Sequence, residues 1–153
     1  MSDVTDLVVF RLDDQRYALP LLAVDRVVHA IEITPLPNAP PIVLGVIDLH
    51  GDVVPVLNVR RRFRLPERSI RLTDQFLVAR TAGRTVALVI DDALGVTRRP
   101  RSAVTDSSQI VPGLDYVQGV VKLDDGLVLI HDLEKFLSLD EARTLNEAMD
   151  RDE

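Results

Sequence analysis

Leu44–Phe63 reads LGVIDLHGDVVPVLNVRRRF, and the pattern of this stretch decides the fold. Two apolar-rich runs, Val46–Leu49 and Val53–Val56, flank His50-Gly51-Asp52. Apolar strands around a short polar turn make a β-hairpin, and the turn calls for a residue that tolerates positive φ, which Gly51 supplies. Val59–Phe63 then has room for one helical turn, with Asn58 as its N-cap. A hairpin followed by a helical turn is therefore the unit to seek elsewhere in the chain.

The unit recurs once. A shift of 74 positions lays the stretch on Gln118–Leu137, matching Gly45 with Gly119, Val46 with Val120, Leu49 with Leu123, Val56 with Ile130 and Val59 with Leu133. Asp124-Asp125-Gly126 falls at the turn. A shift of 69 positions lays Tyr17–Val28 on Val86–Thr97, pairing Ala18 with Ala87, Leu19 with Leu88 and Val27 with Val96. The difference between the two shifts falls in one loop. Each half, 7–63 and 76–137, then reads as hairpin, single strand, long loop, hairpin and helical turn. The chain is expected to be mainly β, a single domain over 1–153 made of two copies of a small unit of about five strands.

The remaining segments fit between these landmarks. Leu7–Leu12 and Arg16–Leu19 flank Asp13-Asp14-Gln15, and Phe76–Arg80 and Arg84–Ile90 flank Thr81-Ala82-Gly83, so each pair predicts a hairpin. Val24–Ile33 reads as a strand, because short β-branched runs beside prolines favour strand over helix. Thr34–Pro41 holds prolines at 35, 37, 40 and 41, which withhold amide donors and impose an extended, stiff loop. Asp91-Asp92 are expected to end a strand, and Arg98–Tyr116 to form a long polar loop. Ser138 and Glu141 have capping-box spacing, and Leu139, Ala142, Leu145 and Met149 recur at helical intervals. A C-terminal helix over 139–149 follows, with the acidic tail Asp150–Glu153 fraying beyond it.

Composition excludes several classes of function. The chain has 153 residues and no cysteine, so disulfides, thiolate metal sites and cysteine nucleophiles are absent and the cytoplasm is the default location. The N-terminus has no basic n-region, and no apolar run approaches the ~20 residues of a membrane span. His29, His50 and His131 lack metal-ligand spacing, and the pairs Asp13-Asp14, Asp91-Asp92 and Asp124-Asp125 all fall at expected turns or strand ends. The seven glycines stand singly, with no nucleophile elbow, phosphate loop or dinucleotide fingerprint. No enzyme activity, metal or cofactor is expected. A net charge of −6 argues against general nucleic-acid binding. One basic stretch remains, Arg60–Arg71, with arginines at 60, 61, 62, 64, 68 and 71 against the single acid Glu67. It reads at least as well as a solvated linker as it does as a surface for an acidic partner; the alternative, a small β-barrel nucleic-acid-binding protein using this cluster, is disfavoured because no Trp and only Phe63 could stack a base there, so no nucleic acid is expected.

Three segments carry a resemblance: FRLDDQRYALP at 10–20, ITPLPNAP at 33–40 and GVIDLHGDVVPVLNVRRRF at 45–63. With them the chain resembles the CheW adaptor family of bacterial chemotaxis, from Leu7 through the C-terminal helix. The resemblance implies two five-stranded, SH3-like β-barrel subdomains packed together. It also implies a non-catalytic adaptor that joins the cytoplasmic tip of a chemoreceptor to the regulatory domain of a CheA-type histidine kinase, without inserting into the membrane itself. Val24, Gly45 and the turn Leu49, His50 and Gly51 occupy the positions that the family uses for partner binding. Two positions depart from the family pattern: Asp48-Leu49-His50-Gly51 stands where N-L-R-G is usual, and Val24-Asp25-Arg26-Val27 where V-x-E-V is usual. The exchanged signs suggest that Arg26 lies near His50 and that these two positions retune receptor recognition, since arginine keeps its charge whereas histidine is neutral near pH 7.

Overall fold

The computed structural model describes residues 3–81, 83–106, 117–123 and 126–151. In chain order the elements are β1 (Val4–Leu12), β2 (Gln15–Pro20), β3 (Val24–His29), β4 (Val43–Leu49), β5 (Asp52–Leu57), α1 (Val59–Arg62), β6 (Gln75–Arg80), β7 (Thr85–Ile90), β8 (Asp92–Pro100), β9 (Val104–Asp106), β10 (Val117–Leu123), β11 (Gly126–His131) and α2 (Leu139–Arg151). Short 3-10 turns stand at Leu21–Ala23, Arg101–Ala103 and Leu133–Lys135. The four expected hairpins all form, as β1–β2, β4–β5, β6–β7 and β10–β11. The turn residues Asp124 and Asp125 lie outside the described residues.

The strands make two sheets, in the orders β8-β1-β2-β11-β10-β9 and β3-β6-β7-β5-β4. Neighbours are antiparallel except at β2–β11 and β5–β7, which are parallel. The first hairpin of each half sits in the sheet of the other half: β1–β2 beside β10–β11, and β6–β7 beside β4–β5. The six-stranded count arises because β8 and β9 are consecutive lengths of chain broken by the turn at Arg101–Ala103. Neither sheet is closed into a barrel by a continuous ladder; in the five-stranded sheet one isolated bridge, Thr34 to Val46, joins the chain after β3 to the outer edge of β4.

Burial explains why the strands beside the parallel contacts read as continuous apolar runs. In β1, Val8, Phe10 and Leu12 enter a core shared with residues of the other sheet, while Leu7 and Val9 enter a smaller cluster with Ala18, Val121, Val128 and Ile130. In β6, Leu77 and Ala79 enter the shared core, while Phe76 and Val78 join Ile47, Val54, Val56 and Ala87. Strands buried on both faces lose the polar alternation that marks a half-exposed strand.

Both expected helix caps form. Asn58 Oδ1 accepts the Arg61 N–H at 3.1 Å, and Ser138 and Glu141 satisfy each other's backbone N–H groups at 2.9 and 3.0 Å. Helix α2 places Leu145, Ala148 and Met149 in the shared core. Several extents differ from expectation: α2 runs on to Arg151, so Asp150 is helical and not part of a frayed tail. The strand expected over Val24–Ile33 stops at His29, because the Ala30 N–H turns to the Asp74 carbonyl at 3.0 Å. Asp92 opens β8 rather than ending a strand, since only Asp91 breaks the run. The expected loop Arg98–Tyr116 is strand, turn and strand as far as Asp106; its remainder, 107–116, lies outside the described residues.

Candidate functional site

The β4–β5 turn is built tightly. Leu49 pairs with Asp52, leaving His50 (φ +55°) and Gly51 (φ +93°) as the two turn residues, both left-handed as a two-residue hairpin connection requires. Asp48 holds the turn by accepting the Gly51 N–H at 2.8 Å. The sequence reading located the glycine and missed that His50 shares its conformation, which histidine adopts more readily than β-branched residues.

Leu49 and Gly51 line a cleft of about 540 Å³, together with Asp25 and Arg26 of β3, Val53, Arg84 and Met149. Strands β3 and β4 are opposite edges of their sheet, so a cleft that both reach shows how strongly the sheet curls. Val53, half exposed, adds an apolar wall that the sequence reading did not single out. The other candidate residues fall outside this lining. Val24 packs against the shared core. Gly45 is buried at φ +152°, where a Cβ would run into the Thr34 carbonyl oxygen and lie 2.7 Å from Ile33 Cγ2. His50 is exposed at the turn and is not in the cleft wall.

Arg26 shares the cleft with Leu49 and Gly51, the neighbours of His50, and no hydrogen bond joins Arg26 to His50 among the described residues. Arg26 Nε faces Asp25 Oδ2 at 3.5 Å, and Arg80 reaches the other oxygen of Asp25 at 3.4 Å. Asp25 thus supplies an acid next door to the position where the family pattern has one. Each of these side chains is partly exposed, so the group is a screened surface cluster rather than a fixed pair.

The basic stretch behaves differently from two of the three readings of the sequence, the solvated linker and the nucleic-acid site. Arg60 is buried, with Nη1 and Nη2 on the two oxygens of Asp13 at 3.0 and 2.8 Å and Nη2 also on Asp91 at 2.8 Å. Arg68 grips both oxygens of Asp74 at 2.7 and 2.8 Å and reaches Asp91 at 2.7 Å. Arg62 donates to both oxygens of Glu141 at 2.6 and 2.7 Å. Burial pushes the Asp91 carboxyl up, but the Asp13 backbone N–H and the two guanidiniums outweigh it and hold the group below the usual range. Asp74 follows the same pattern with Arg68 and the Arg71 N–H, and Asp13 is lowered chiefly by its hydrogen bonds from Arg60. Half of the arginines in the stretch are therefore consumed inside the fold. This leaves the nucleic-acid alternative, which needed the cluster free for phosphates, without support, and it replaces the solvated-linker reading of Arg60, Arg62 and Arg68.

His131 is a polar residue whose environment the sequence did not reveal. It ends β11 and is about 1% exposed. The rings of Phe63, Phe136, Phe10 and Tyr17 surround it, with centroids 4.4, 5.7, 5.9 and 5.9 Å away. Neither ring nitrogen has a hydrogen-bond partner among the described residues, and burial lowers its pKa from 6.5 to about 3. It is a neutral core residue. Among the described residues no three His, Asp or Glu side chains gather in a way that would hold a metal ion.

Comparison with known proteins agrees with this architecture. Residues 6–141 match the family described as CheW-like domain. The chain is 26% identical to the chemotaxis protein CheW of Treponema pallidum, over 91% of this chain and 85% of that protein, and 29% identical to that of Helicobacter pylori over the same shares. FrzA of Myxococcus xanthus is 34% identical over 60% of this chain and 57% of its own. The solved structure of the scaffolding protein TtCheW from Thermoanaerobacter tengcongensis superposes with a TM-score of 0.81 at 24% identity, covering 90% of this chain and 94% of that one, and so shares the fold. A match spanning nearly the whole two-sheet body identifies the chain as a member of the CheW-like domain family.

Proposed function

We propose that this protein is a non-catalytic adaptor of bacterial signal transduction, coupling chemoreceptors to a CheA-type histidine kinase. Its partners are the regulatory domain of the kinase and the cytoplasmic tip of a receptor, and it works in the cytoplasm, recruited to receptor arrays at the membrane. No described helix is long and apolar enough to cross a membrane, in keeping with that reading. The observation that carries it is the family match over residues 6–141. The domain itself is read as one unit assembled from two copies, 7–63 and 76–137, followed by the helix at 139–149.

Within that reading the partner-binding surface is the cleft where Arg26, Leu49 and Gly51 meet, with His50 at its rim on the turn and Val24 and Gly45 shaping the strands beneath. An open cleft with an apolar wall at Val53 and charged side chains at Asp25, Arg26 and Arg84 suits docking of a partner helix or strand, not chemistry on a small molecule. The test is titration of the protein with a kinase regulatory domain and, separately, with a receptor cytoplasmic fragment, comparing wild type with Arg26→Ala and Val53→Ala. The variants should remain folded and bind at least one partner more weakly. Unchanged affinity for both partners would remove the cleft from the interface, and failure of the wild type to bind either would refute the adaptor reading itself.

A further inference from the structure

Of the six arginines in the basic stretch, three are held by carboxylates of the fold. Arg61 and Arg64 are not: both are exposed, and neither has an ion pair among the described residues. The Arg61 guanidinium makes one long hydrogen bond, 3.4 Å to the Pro41 carbonyl. The two converge with Arg62 on a cleft of about 320 Å³ whose remaining walls are Pro41, Ile42 and Glu141. Glu141 is already engaged, accepting Arg62 with both oxygens and the Ser138 N–H with one. The cleft therefore offers two guanidiniums without an ion pair among the described residues, beside the exposed ring of Pro41, in a chain whose net charge is −6. It shares no residue with the cleft at the β4–β5 turn.

We propose that this second cleft receives a carboxylate-bearing segment of a partner protein, an Asp or Glu side chain next to an apolar residue. Guanidinium forks match carboxylates in shape as well as charge, and the exposed ring of Pro41 gives the adjoining apolar side chain a place to rest. Nucleic acid fits less well. Two cations neutralise few phosphates, and the aromatic residue between Arg62 and Arg64, Phe63, is packed against Tyr17 and His131 at 5.0 and 4.4 Å instead of offering a face for a base. The acidic end of α2 is not the occupant. The helix starts beside the cleft at Glu141 and rises about 1.5 Å per residue, so its far end lies well away, with Asp150 lining the cleft at the β4–β5 turn.

Fluorescence anisotropy with a dye-labelled peptide of alternating glutamate and leucine tests the assignment without kinase or receptor. The controls are the same peptide with glutamine for glutamate and a single-stranded oligonucleotide of equal charge. Wild type should bind the glutamate peptide saturably, more weakly as salt is raised, and better than either control. Arg61→Ala with Arg64→Ala should weaken it about tenfold, the scale of two partly exposed charged contacts, while the melting temperature stays put. Each single variant should fall between. Equal binding of the glutamine peptide, tighter binding of the oligonucleotide, or an unaltered affinity in the double variant would overturn the proposal.

Discussion

Gly45 stands at φ +152° beneath the bridge from Thr34 to Val46, whose two hydrogen bonds are both 2.8 Å. A side chain at this position must push the bridging segment off β4 and adopt a backbone conformation that only glycine takes freely. Gly45→Ala should cost about 1–3 kcal/mol, read from the urea midpoint. Because the residue is buried, its effect on partner binding should follow the fraction folded. If Gly45→Ala binds partners more weakly at full foldedness with an unshifted urea midpoint, Gly45 is instead a contact residue. The resemblance marked this position, but the reason for glycine there lies in Ile33 and Thr34, a dozen residues earlier, and no local pattern announces their approach.

Helix α2 depends on a residue that serves two elements. Glu141 closes the capping box with Ser138 and also holds Arg62 of α1, so it ties the start of α2 to the helical turn that follows β5. Burial raises the Glu141 carboxyl, but the Arg62 and Ser138 hydrogen bonds outweigh it and keep the group ionised. Ser138→Ala should cost about 0.5–2 kcal/mol, the range for loss of an N-cap, with Ser138→Asp largely restoring it. Deleting Ala142–Glu153 should be far worse, since it strips Leu145, Ala148 and Met149 from the shared core. Stability should fall more than specific partner binding, and a truncated protein that stays fully stable while losing kinase binding would contradict this packing role. Elements of this kind were legible in the sequence because their signals are local: the hairpins in turn residues, the helices in S-x-x-E and N-cap spacing. The exchange of hairpins between sheets was not, since strand pairing is decided by segments dozens of residues apart that carry no mark of their partner.

At the scale of the molecule, two buried groups respond to acid in different pH windows. One is the ion network where β7 passes into β8 and the chain crosses from one sheet to the other: Asp91, about 7% exposed in its side chain, accepts Arg60 and Arg68, and Asp13 and Asp74 complete the pairs. Removing one partner strands a buried charge, so Arg60→Met should cost about 3–5 kcal/mol, more than any of the exposed arginines. The carboxyls are held below their ordinary 3.8, so the unfolded chain takes up protons first. Their stabilisation is complete above about pH 5 and is lost as the pH falls through the ordinary carboxylate range and below.

His131 acts earlier on the way down. Its folded value of about 3 lies below its ordinary 6.5, so between these limits the unfolded chain holds a proton that the folded one refuses. Stability should therefore decline from about pH 6.5 downward, approaching about 1.4 kcal/mol per pH unit. His131→Leu keeps the aromatic enclosure filled and removes two ring nitrogens that have no partner. At pH 7 the variant should be more stable by about 1–3 kcal/mol, the cost of burying an unsatisfied polar group. Between pH 6.5 and 4.5 it should also lose part of the acid slope, leaving the decline that belongs to Asp13, Asp74 and Asp91 at lower pH. Urea midpoints at unit pH intervals from 7 to 4 distinguish the two contributions. Parallel curves for the variant and wild type through this window would mean that position 131 is not titrating out of the folded core.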